Sequence, residues 1–413
     1  MQPRKDLLIV AGPAALALLL AVAVYVRVGG ENLNLTTGLL LMAAVFTAVL
    51  ALAELGLGLL KASPGAHVSA RVSIVTTSVL LVGLELVLRF GLGTYTTYLE
   101  KNLGGAYRPM YHHTSPTWFQ VFQPNTEFSY SRPEFTYARK INSLGLAERE
   151  LPSEKGPNEY RIIALGDSYT EGVGAAYDES WIKVVERRLT SQTAGRTVVA
   201  FNAGISGSDP WHEYMLLKEK LLVYKPDLVI VAINATDVSD MMIRGGRERF
   251  QADGTTRISN PPPSWEWLYG ISYLFRHVVH DVLHYNYMLI RESALEADRQ
   301  KAIGHLVEAA RAFAALGHER GFRVLIVLHP DRREATQEKY ESAFAKVVDT
   351  LKRLPELDVV DVLDRWKSTG VLGRDGASSL YWSLDGHNTS KGYAAFGETV
   401  ADRILHSNLM KGE

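Results

Sequence analysis

The sequence contains no cysteine among its 413 residues. This absence excludes disulfides, thiolate nucleophiles and cysteine-ligated metal sites. Neither sign of charge predominates: 44 basic and 45 acidic residues give a net charge of −1. Proteins that bind nucleic acid usually have an excess of basic residues on the contacting surface. We find no internal repeat and no nucleic-acid-binding module. We therefore predict no cofactor, no metal and no nucleic-acid partner.

Long apolar runs, in contrast, are abundant near the N-terminus. They lie at about 7–28, 35–60 and 72–88. Each approaches or exceeds the roughly 20 residues that an α-helix needs to cross a bilayer. We predict a membrane region at 1–95 with three transmembrane helices. A cleaved signal peptide is the alternative for the first run, but it leaves the other two unexplained.

Basic residues flank these runs unequally. Arg4 and Lys5 precede the first run, and Lys61 and Arg71 bracket the second loop, whereas the loop GGENLN has no basic residue. The positive-inside rule then places the N-terminus in the cytoplasm. After three crossings, everything beyond about residue 95 is predicted to be extracytoplasmic, that is, periplasmic or extracellular.

Two glutamates, Glu54 and Glu85, lie inside the apolar runs. Acids within a membrane often mark functional sites. Glu85 precedes Arg89 by four residues, which is the spacing of a helical side-chain pair. We interpret both glutamates as structural residues or as contacts to a partner.

The character of the sequence changes after the apolar runs. Residues 96–158 are rich in Tyr, Pro and Asn and are predicted to form an irregular connector with one or two short strands. Over 159–410, the apolar runs RIIALG, TVVAFN, DLVIVAIN, FRVLIVLH and DVVDVL alternate with amphipathic helical stretches. This alternation predicts an α/β domain with a doubly wound parallel sheet of about five strands.

A long insertion at about 239–292 interrupts this alternation and contains PPPSWEWLYGISYLF. Long connections in compact domains are often lids or binding loops. Trp265, Trp267 and Tyr269 are candidates for a substrate lid that stacks on sugar rings. The alternatives are a packing patch or contact with the membrane interface, where Trp and Tyr are enriched.

Polar residues follow the predicted strands. The first strand is followed by Ser168, the second by Gly204 and the third by Asn234, and Asp385 and His387 precede the last helix. Ligands of open α/β sheets bind outside the carboxyl ends of the strands, so these residues are expected to converge. A serine hydroxyl becomes a good nucleophile when a histidine takes its proton and an acid orients that histidine.

The same residues provide donors for an oxyanion. We predict an oxyanion hole from the N–H groups of Ser168 and Gly204 and the side-chain amide of Asn234. The alternative for Ser168 is a simple helix N-cap, because serine is preferred there. The matching polar residues at the other strand ends favour catalysis.

These segments resemble the blocks of the SGNH (GDSL-like) esterase and acyltransferase superfamily over roughly 140–407. GDSYTEG is similar to its serine block, NAGISG to its glycine block, AINATD to its asparagine block and DGHN to its closing block. The resemblance implies a three-layer, flavodoxin-like fold. It also implies Ser168 as nucleophile, His387 and Asp385 as its partners, and Gly204 and Asn234 in the oxyanion hole.

Two features depart from the usual pattern of the superfamily. Ala235 and Thr236 separate Asn234 from the next aspartate, where the family often has Asn-Asp. Asp385 and His387 are two residues apart instead of three. The shorter spacing is similar to that of members that add or remove O-acetyl groups on cell-surface polysaccharides.

Three histidines, His277, His280 and His284, recur on one face of a predicted helix. A metal site is one interpretation of this spacing, but no fourth ligand accompanies them. We interpret them as a polar stripe.

We therefore predict a membrane-anchored, extracytoplasmic serine esterase that acts on O-acylated glycans or related small esters. An O-acetyltransferase that modifies a cell-surface polysaccharide is an alternative, and a non-catalytic glycan-binding or assembly subunit is another. The predicted partners are the acylated substrate and the lipid bilayer. Whether the helices also dock a membrane partner that donates acyl groups is left open.

Overall fold

The computed structural model describes residues 3–29, 34–92, 111–113, 121–193, 195–261 and 263–410. The chain forms two compact units. We call Met1–Gly105 with Pro262–Ser293 the helical unit, and Ala106–Pro261 with Ala294–Glu413 the sheet unit. The predicted insertion is shared between them. Residues 96–110 and 114–120 of the predicted connector and the loop at 30–33 lie outside the described residues.

The secondary structure alternates regularly only in the sheet unit. The strands are β1 Tyr111–His113, β2 Val121–Phe122, β3 Glu127–Ser131, β4 Thr136–Lys140, β5 Glu159–Leu165, β6 Thr197–Asn202, β7 Leu228–Ile233, β8 Arg323–Leu328 and β9 Asp358–Asp361. The helices are α1 Pro3–Gly29, α2 Leu35–Leu59, α3 Pro64–Val87, α4 Ser168–Glu171, α5 Trp181–Gln192, α6 Pro210–Leu216, α7 Ala235–Arg244, α8 Glu266–Ile271, α9 Tyr273–His277, α10 Glu292–Arg320, α11 Arg332–Gln337, α12 Ser342–Lys352, α13 Val362–Ser368, α14 Val371–Asp375, α15 Ala377–Leu380 and α16 Ser390–Leu405.

The helical unit contains three helices long and apolar enough to cross a membrane, with spans at Ala11–Val28, Leu35–Leu59 and Pro64–Gly91. The third begins earlier than its apolar run predicts. The Ser63 hydroxyl accepts the N–H of Ala66 and caps the helix, so the polar first turns are helical too. These turns contain Arg71, whose Nε lies 2.5 Å from Glu54 Oε1, so the buried Glu54 has a structural role.

The sheet unit is built on five parallel strands in the order β6-β5-β7-β8-β9. Every residue of β7 is buried, as expected for a parallel strand covered by helices on both faces. This sheet confirms the predicted doubly wound fold. The strand order reverses between β5 and β7, which is where ligands of such folds bind, beyond the carboxyl ends of the strands.

Before the parallel sheet, the chain forms two short antiparallel pairs, β1 with β2 and β3 with β4. These four strands exceed the one or two that the sequence predicts. Aromatic side chains stabilise the β3–β4 hairpin: Phe128 packs edge-on against Tyr137 at 6.3 Å between ring centroids, and Phe135 lies 6.0 Å from Tyr137. Packing between aromatic rings stabilises a short strand pair such as β3–β4, whose polar residues alone would contribute little stability.

Candidate active site

The turn after β5 presents Ser168 at the sheet edge. Asp167 is the N-cap of α4, and its Oδ1 accepts the N–H of Tyr169 at 2.9 Å. A Cβ at Gly166 would lie 2.1 Å from Thr170 Oγ1, so only glycine fits where the strand turns into the helix. Ser168 is therefore the first helical residue, directly beyond the carboxyl end of the strand.

Ser168 forms a hydrogen-bonded chain with the two residues predicted to activate it. The Nε2 atom of His387 lies 2.8 Å from Ser168 Oγ. On the other side of the ring, Nδ1 of His387 is hydrogen-bonded to Asp385 Oδ1. Gly386, at φ 88°, makes the turn that brings the aspartate back to the ring of its near neighbour. This is the arrangement in which a histidine acts as the base for a serine.

The environment of Asp385 keeps this acid ionised. Its burial alone would raise the pKa, but the hydrogen bond and positive charge of His387 outweigh burial and hold the pKa of Asp385 below its ordinary value. A carboxylate at neutral pH can fix the histidine tautomer and stabilise the imidazolium that forms during catalysis.

Asn234 lies close to the nucleophile turn. It caps α7, because its Oδ1 accepts the N–H of Thr236 at 2.9 Å. Its Nδ2 donates to Asp167 Oδ2 at 3.0 Å. A side-chain amide has two N–H donors. One hydrogen of Asn234 therefore holds Asp167, beside Ser168, and the role of the second as an oxyanion donor stays a prediction.

Gly204 has a different environment from the one predicted. Its N–H donates to Asn202 Oδ1 at 2.9 Å, and a Cβ there would lie 2.2 Å from the backbone nitrogen of Glu171. The glycine is needed for close packing against α4. Its role as an oxyanion donor stays a prediction, and that role would require the bond to Asn202 to break.

The second glycine of NAGISG, Gly207, is a candidate that sequence reasoning missed. Its neighbours anchor this loop on both sides of the nucleophile: Ser206 N–H donates to Glu171 Oε2 at 3.1 Å, and Ser208 Oγ donates to Gly166 O at 3.0 Å. Gly207 is exposed to solvent, and its backbone φ angle is 74°. Within the part of the chain that the structure describes, its N–H has no hydrogen-bond acceptor.

The β3–β4 hairpin holds the loop that carries the acid and the base. The carboxylate of Glu134 accepts the N–H groups of Ser383, Leu384 and Asp385 at 2.8, 2.8 and 2.9 Å. It also accepts the hydroxyl of Ser383 at 2.6 Å. Nothing in the sequence indicated this contact, because the hairpin turn has no motif and lies about 250 residues from the loop.

The same hairpin also holds the nucleophile turn. Arg139, buried on β4, donates to the carbonyl oxygens of Gly172 at 2.6 Å, Ala175 at 3.0 Å and Glu171 at 3.3 Å. These carbonyls belong to the last residue of α4 and to the turn after it, where helix acceptors lack internal partners. The predicted connector therefore supplies one charged side chain to each half of the candidate site.

Replacing Glu134 with glutamine is expected to lower kcat about 10-fold to 100-fold, because a small displacement of a catalytic group costs that much. In the wild type, a carboxylate oxygen of Glu134 accepts these backbone N–H groups. In the variant, the NH2 of the glutamine would take the place of one such oxygen, and an NH2 cannot accept a hydrogen bond from an N–H group. Ester turnover and the thermal unfolding midpoint should be measured together, with Glu127→Gln on the exposed face of β3 as control. An equal kcat in both variants would show that Glu134 does not position the loop.

A cleft of about 430 Å³ adjoins the candidate site. Its lining includes Tyr169 and Gly386, the chain neighbours of the nucleophile and the base, and the exposed Leu384. The Tyr169 ring lies 5.0 Å from the His387 ring. Neither this cleft nor a larger cavity of about 590 Å³ is lined by Ser168, Asp385 or His387. Its position beside Tyr169 and Gly386 makes this cleft a candidate for the place where a substrate binds.

The predicted lid residues belong to the helical unit. Tyr269 is only 1% exposed, and its hydroxyl lies 2.8 Å from Nε2 of His280. Trp265 packs edge-on against Phe275 and Tyr285, and Trp267 is partly buried. These contacts agree with the alternative that the aromatic residues form a packing patch. A lid function for the three residues stays a prediction.

The histidines of the same segment have local partners. His277 Nδ1 lies 2.8 Å from Asp281 Oδ2, and His280 Nδ1 lies 2.7 Å from Tyr285 O. His284 is exposed. Among the described residues, no three His, Cys, Asp or Glu side chains are grouped so that they could hold a metal ion.

Comparison with protein families matches residues 164–395 to the GDSL-like lipase/acylhydrolase family, which is more than half of the chain. No curated protein sequence matches. Similar solved structures include a lipase from a goat rumen metagenome, with 17% identity over 59% of this chain and 97% of that chain and a TM-score of 0.38. A lipase/acylhydrolase from Enterococcus faecalis has 17% identity over 59% of this chain and 95% of that chain, with a TM-score of 0.35. An acetyl xylan esterase has 15% identity over 59% of this chain and 98% of that chain, with a TM-score of 0.34.

Proposed function

This chain belongs to the GDSL-like lipase/acylhydrolase family, and we propose that it is a membrane-anchored serine esterase with Ser168, His387 and Asp385 as its catalytic residues. The observation that carries the proposal is the hydrogen-bonded chain from Ser168 Oγ through His387 to Asp385. All three residues lie within the segment that matches the family.

In the first half-reaction, Ser168 Oγ attacks the ester carbonyl carbon while His387 Nε2 takes the hydroxyl proton. The tetrahedral intermediate collapses and expels the alcohol, which receives that proton from Nε2. In the second half-reaction, a water molecule attacks the acyl carbon through its oxygen while His387 takes one of the water protons. Ser168 leaves with this proton, and a carboxylic acid is released.

The negative oxygen of each intermediate needs nearby donors. We assign the N–H of Ser168, the second amide hydrogen of Asn234 and the N–H of Gly207 to this role. Loss of one such donor typically lowers kcat about 100-fold to 1000-fold. Gly204 then supports the hole through packing, since its N–H is bonded to Asn202.

We propose that the substrate is an O-acylated glycan or a related small ester. The two-residue spacing of Asp385 and His387 supports this class, since it resembles members that handle O-acetyl groups on polysaccharides. The same spacing favours an O-acetyltransferase as the second candidate. Water and a sugar hydroxyl attack the same acyl-Ser168, and only the exclusion of water would distinguish the two reactions.

The location of the catalytic residues is part of the proposal. Arg4 and Lys5 at the start of α1, with Lys61 between α2 and α3, support a cytoplasmic N-terminus and an extracytoplasmic sheet unit. Protease added outside sealed spheroplasts should then cleave the sheet unit. Its protection, together with cleavage after lysis, would reverse the orientation.

The activity is tested with the full chain in detergent, using p-nitrophenyl acetate with and without an oligosaccharide. An esterase should release acetate at a saturable rate that the sugar does not change. Acetyl groups found on the sugar by mass spectrometry would establish the transferase. If neither product exceeds the rate without enzyme, the non-catalytic alternative replaces both.

A further inference from the structure

We propose that residues 263–293 form a membrane-interface element whose exposed Val282 and Leu283 contact lipid. This segment is the part of the predicted insertion that belongs to the helical unit. The proposal rests on the membrane anchoring proposed above and adds to it a lipid-binding surface far along the chain from the three spanning helices.

Glu85 attaches the segment to α3. This residue is 2% exposed, and its carboxylate accepts the Ser272 hydroxyl and the N–H groups of Tyr273 and Leu274, each at 2.9 Å. The first N–H groups of a helix such as α9 have no partner inside the helix. In water they bind solvent, but in lipid each unsatisfied group costs several kcal/mol. A glutamate on a spanning helix provides the partners that such an environment lacks.

Ile271 provides a second attachment. Its carbonyl oxygen accepts a hydrogen bond from Arg89 Nη2 at 2.9 Å. A Cβ at Gly38 would lie 2.5 Å from the same oxygen, so glycine on α2 permits this close approach. A short loop joins α2 to α3, which makes them antiparallel neighbours. Gly38, near the start of α2, and Arg89, after α3, therefore mark the same end of the bundle.

These contacts also give the depth of the segment. Glu85 lies six residues before the end of the span Pro64–Gly91, or about 9 Å at the rise of an α-helix. Gly38 lies three residues after the start of the span Leu35–Leu59, or about 4.5 Å. The backbone near Ile271 therefore contacts the last two turns of one candidate span and the first turn of another, and the proposal locates it at the boundary between hydrocarbon and headgroups.

The composition of the segment fits that boundary. Tryptophan and tyrosine, which are enriched at membrane interfaces, occur at Trp265, Trp267, Tyr269, Tyr273, Tyr285 and Tyr287. Tyr269, Val279 and Leu289 form its buried core. Outside this core, Val282 is 65% exposed and Leu283 45% exposed, with the exposed polar residues Asp281 and His284 on either side. Apolar and polar groups side by side are typical of an interfacial surface.

The absence of cysteine makes the proposal testable at single positions. Val282→Cys and Leu283→Cys should be labelled with an environment-sensitive fluorophore in the full chain, reconstituted into phosphatidylcholine vesicles. Nitroxides on lipids, placed near the headgroup or near the acyl-chain end, and a water-soluble quencher then report the position. Two matched variants are Val79→Cys, 66% exposed on α3, and Val223→Cys, 58% exposed on the sheet unit.

Labels at 282 and 283 are expected to lose most emission to the headgroup-level nitroxide and little to the aqueous quencher. The label at 79 should respond to the deep nitroxide, and the label at 223 to the aqueous quencher alone. If the labels at 282 and 283 respond only to the aqueous quencher, as the label at 223 does, while the label at 79 responds to the deep nitroxide, the proposed interface element is wrong and the membrane anchoring stands. Shielding from every quencher would mean that protein covers this surface, which also overturns the proposal. If 79 behaves like 223, the anchoring itself fails.

Discussion

Replacing Ser168 with alanine is expected to lower ester turnover by about 10⁴-fold or more, because the variant loses the nucleophile and keeps only binding and oxyanion stabilisation. His387 Nε2 lies 2.8 Å from Ser168 Oγ, so the variant leaves this base without the hydroxyl that it deprotonates. The measurement is kcat/KM for p-nitrophenyl acetate with wild type and variant purified in parallel.

The matched control for this prediction is Ser191→Ala. Ser191 is exposed on α5, and its hydroxyl bonds only the local carbonyl of Arg188 at 2.8 Å. The control should retain wild-type turnover. If Ser168→Ala also retained it, Ser168 would be no more than the helix N-terminal residue that its position allows.

The second large effect concerns stability. Replacing Asp209 with asparagine is expected to cost about 3–5 kcal/mol, because it leaves a buried arginine without its counter-ion. Asp209 is fully buried, and its carboxylate accepts hydrogen bonds from Arg249 Nη2 at 2.6 Å and Arg244 Nη1 at 2.8 Å. His212 Nδ1 lies 2.6 Å from Asp209 Oδ2. Burial opposes ionisation, but Arg249 and the other partners hold the pKa of Asp209 well below its ordinary value.

The midpoint of thermal unfolding in detergent should therefore fall by roughly 10 °C in Asp209→Asn. Asp349→Asn is the control, because Asp349 is exposed on α12. A midpoint equal to that of the wild type would show that the buried cluster contributes no net stability. Since Asp209 caps the N-terminus of α6 and Arg244 ends α7, loss of activity on mild heating is expected to accompany the change.

The fold was predictable because its signal is local. Strands that are buried on both faces must be apolar throughout, and their alternation with amphipathic helices leaves few topologies other than a doubly wound sheet. Ser168 and Asn234 were predictable as candidates for the same reason. Asn234 directly follows β7 and Ser168 follows β5 after two residues, so the sheet brings them to one edge without any long-range information.

Features that depend on distant contacts were not predictable. Glu134 and Arg139 lie in a segment without a motif, and their partners become apparent only once the chain has folded. The hydrogen bond from the Gly204 N–H to Asn202 Oδ1 also depends on the folded loop, and composition does not encode it. The contacts of Glu85 and Arg89 with 271–274 join part of the insertion to the end of α3, and no local sequence pattern indicates them.

The most direct test of the central claim is the mass of the intact chain after incubation with a fluorophosphonate, which reacts with activated serines. The account predicts one adduct, located on Ser168 by peptide mapping and strongly reduced in His387→Ala. An adduct on another residue, or an equal yield without His387, would contradict a serine nucleophile activated by His387.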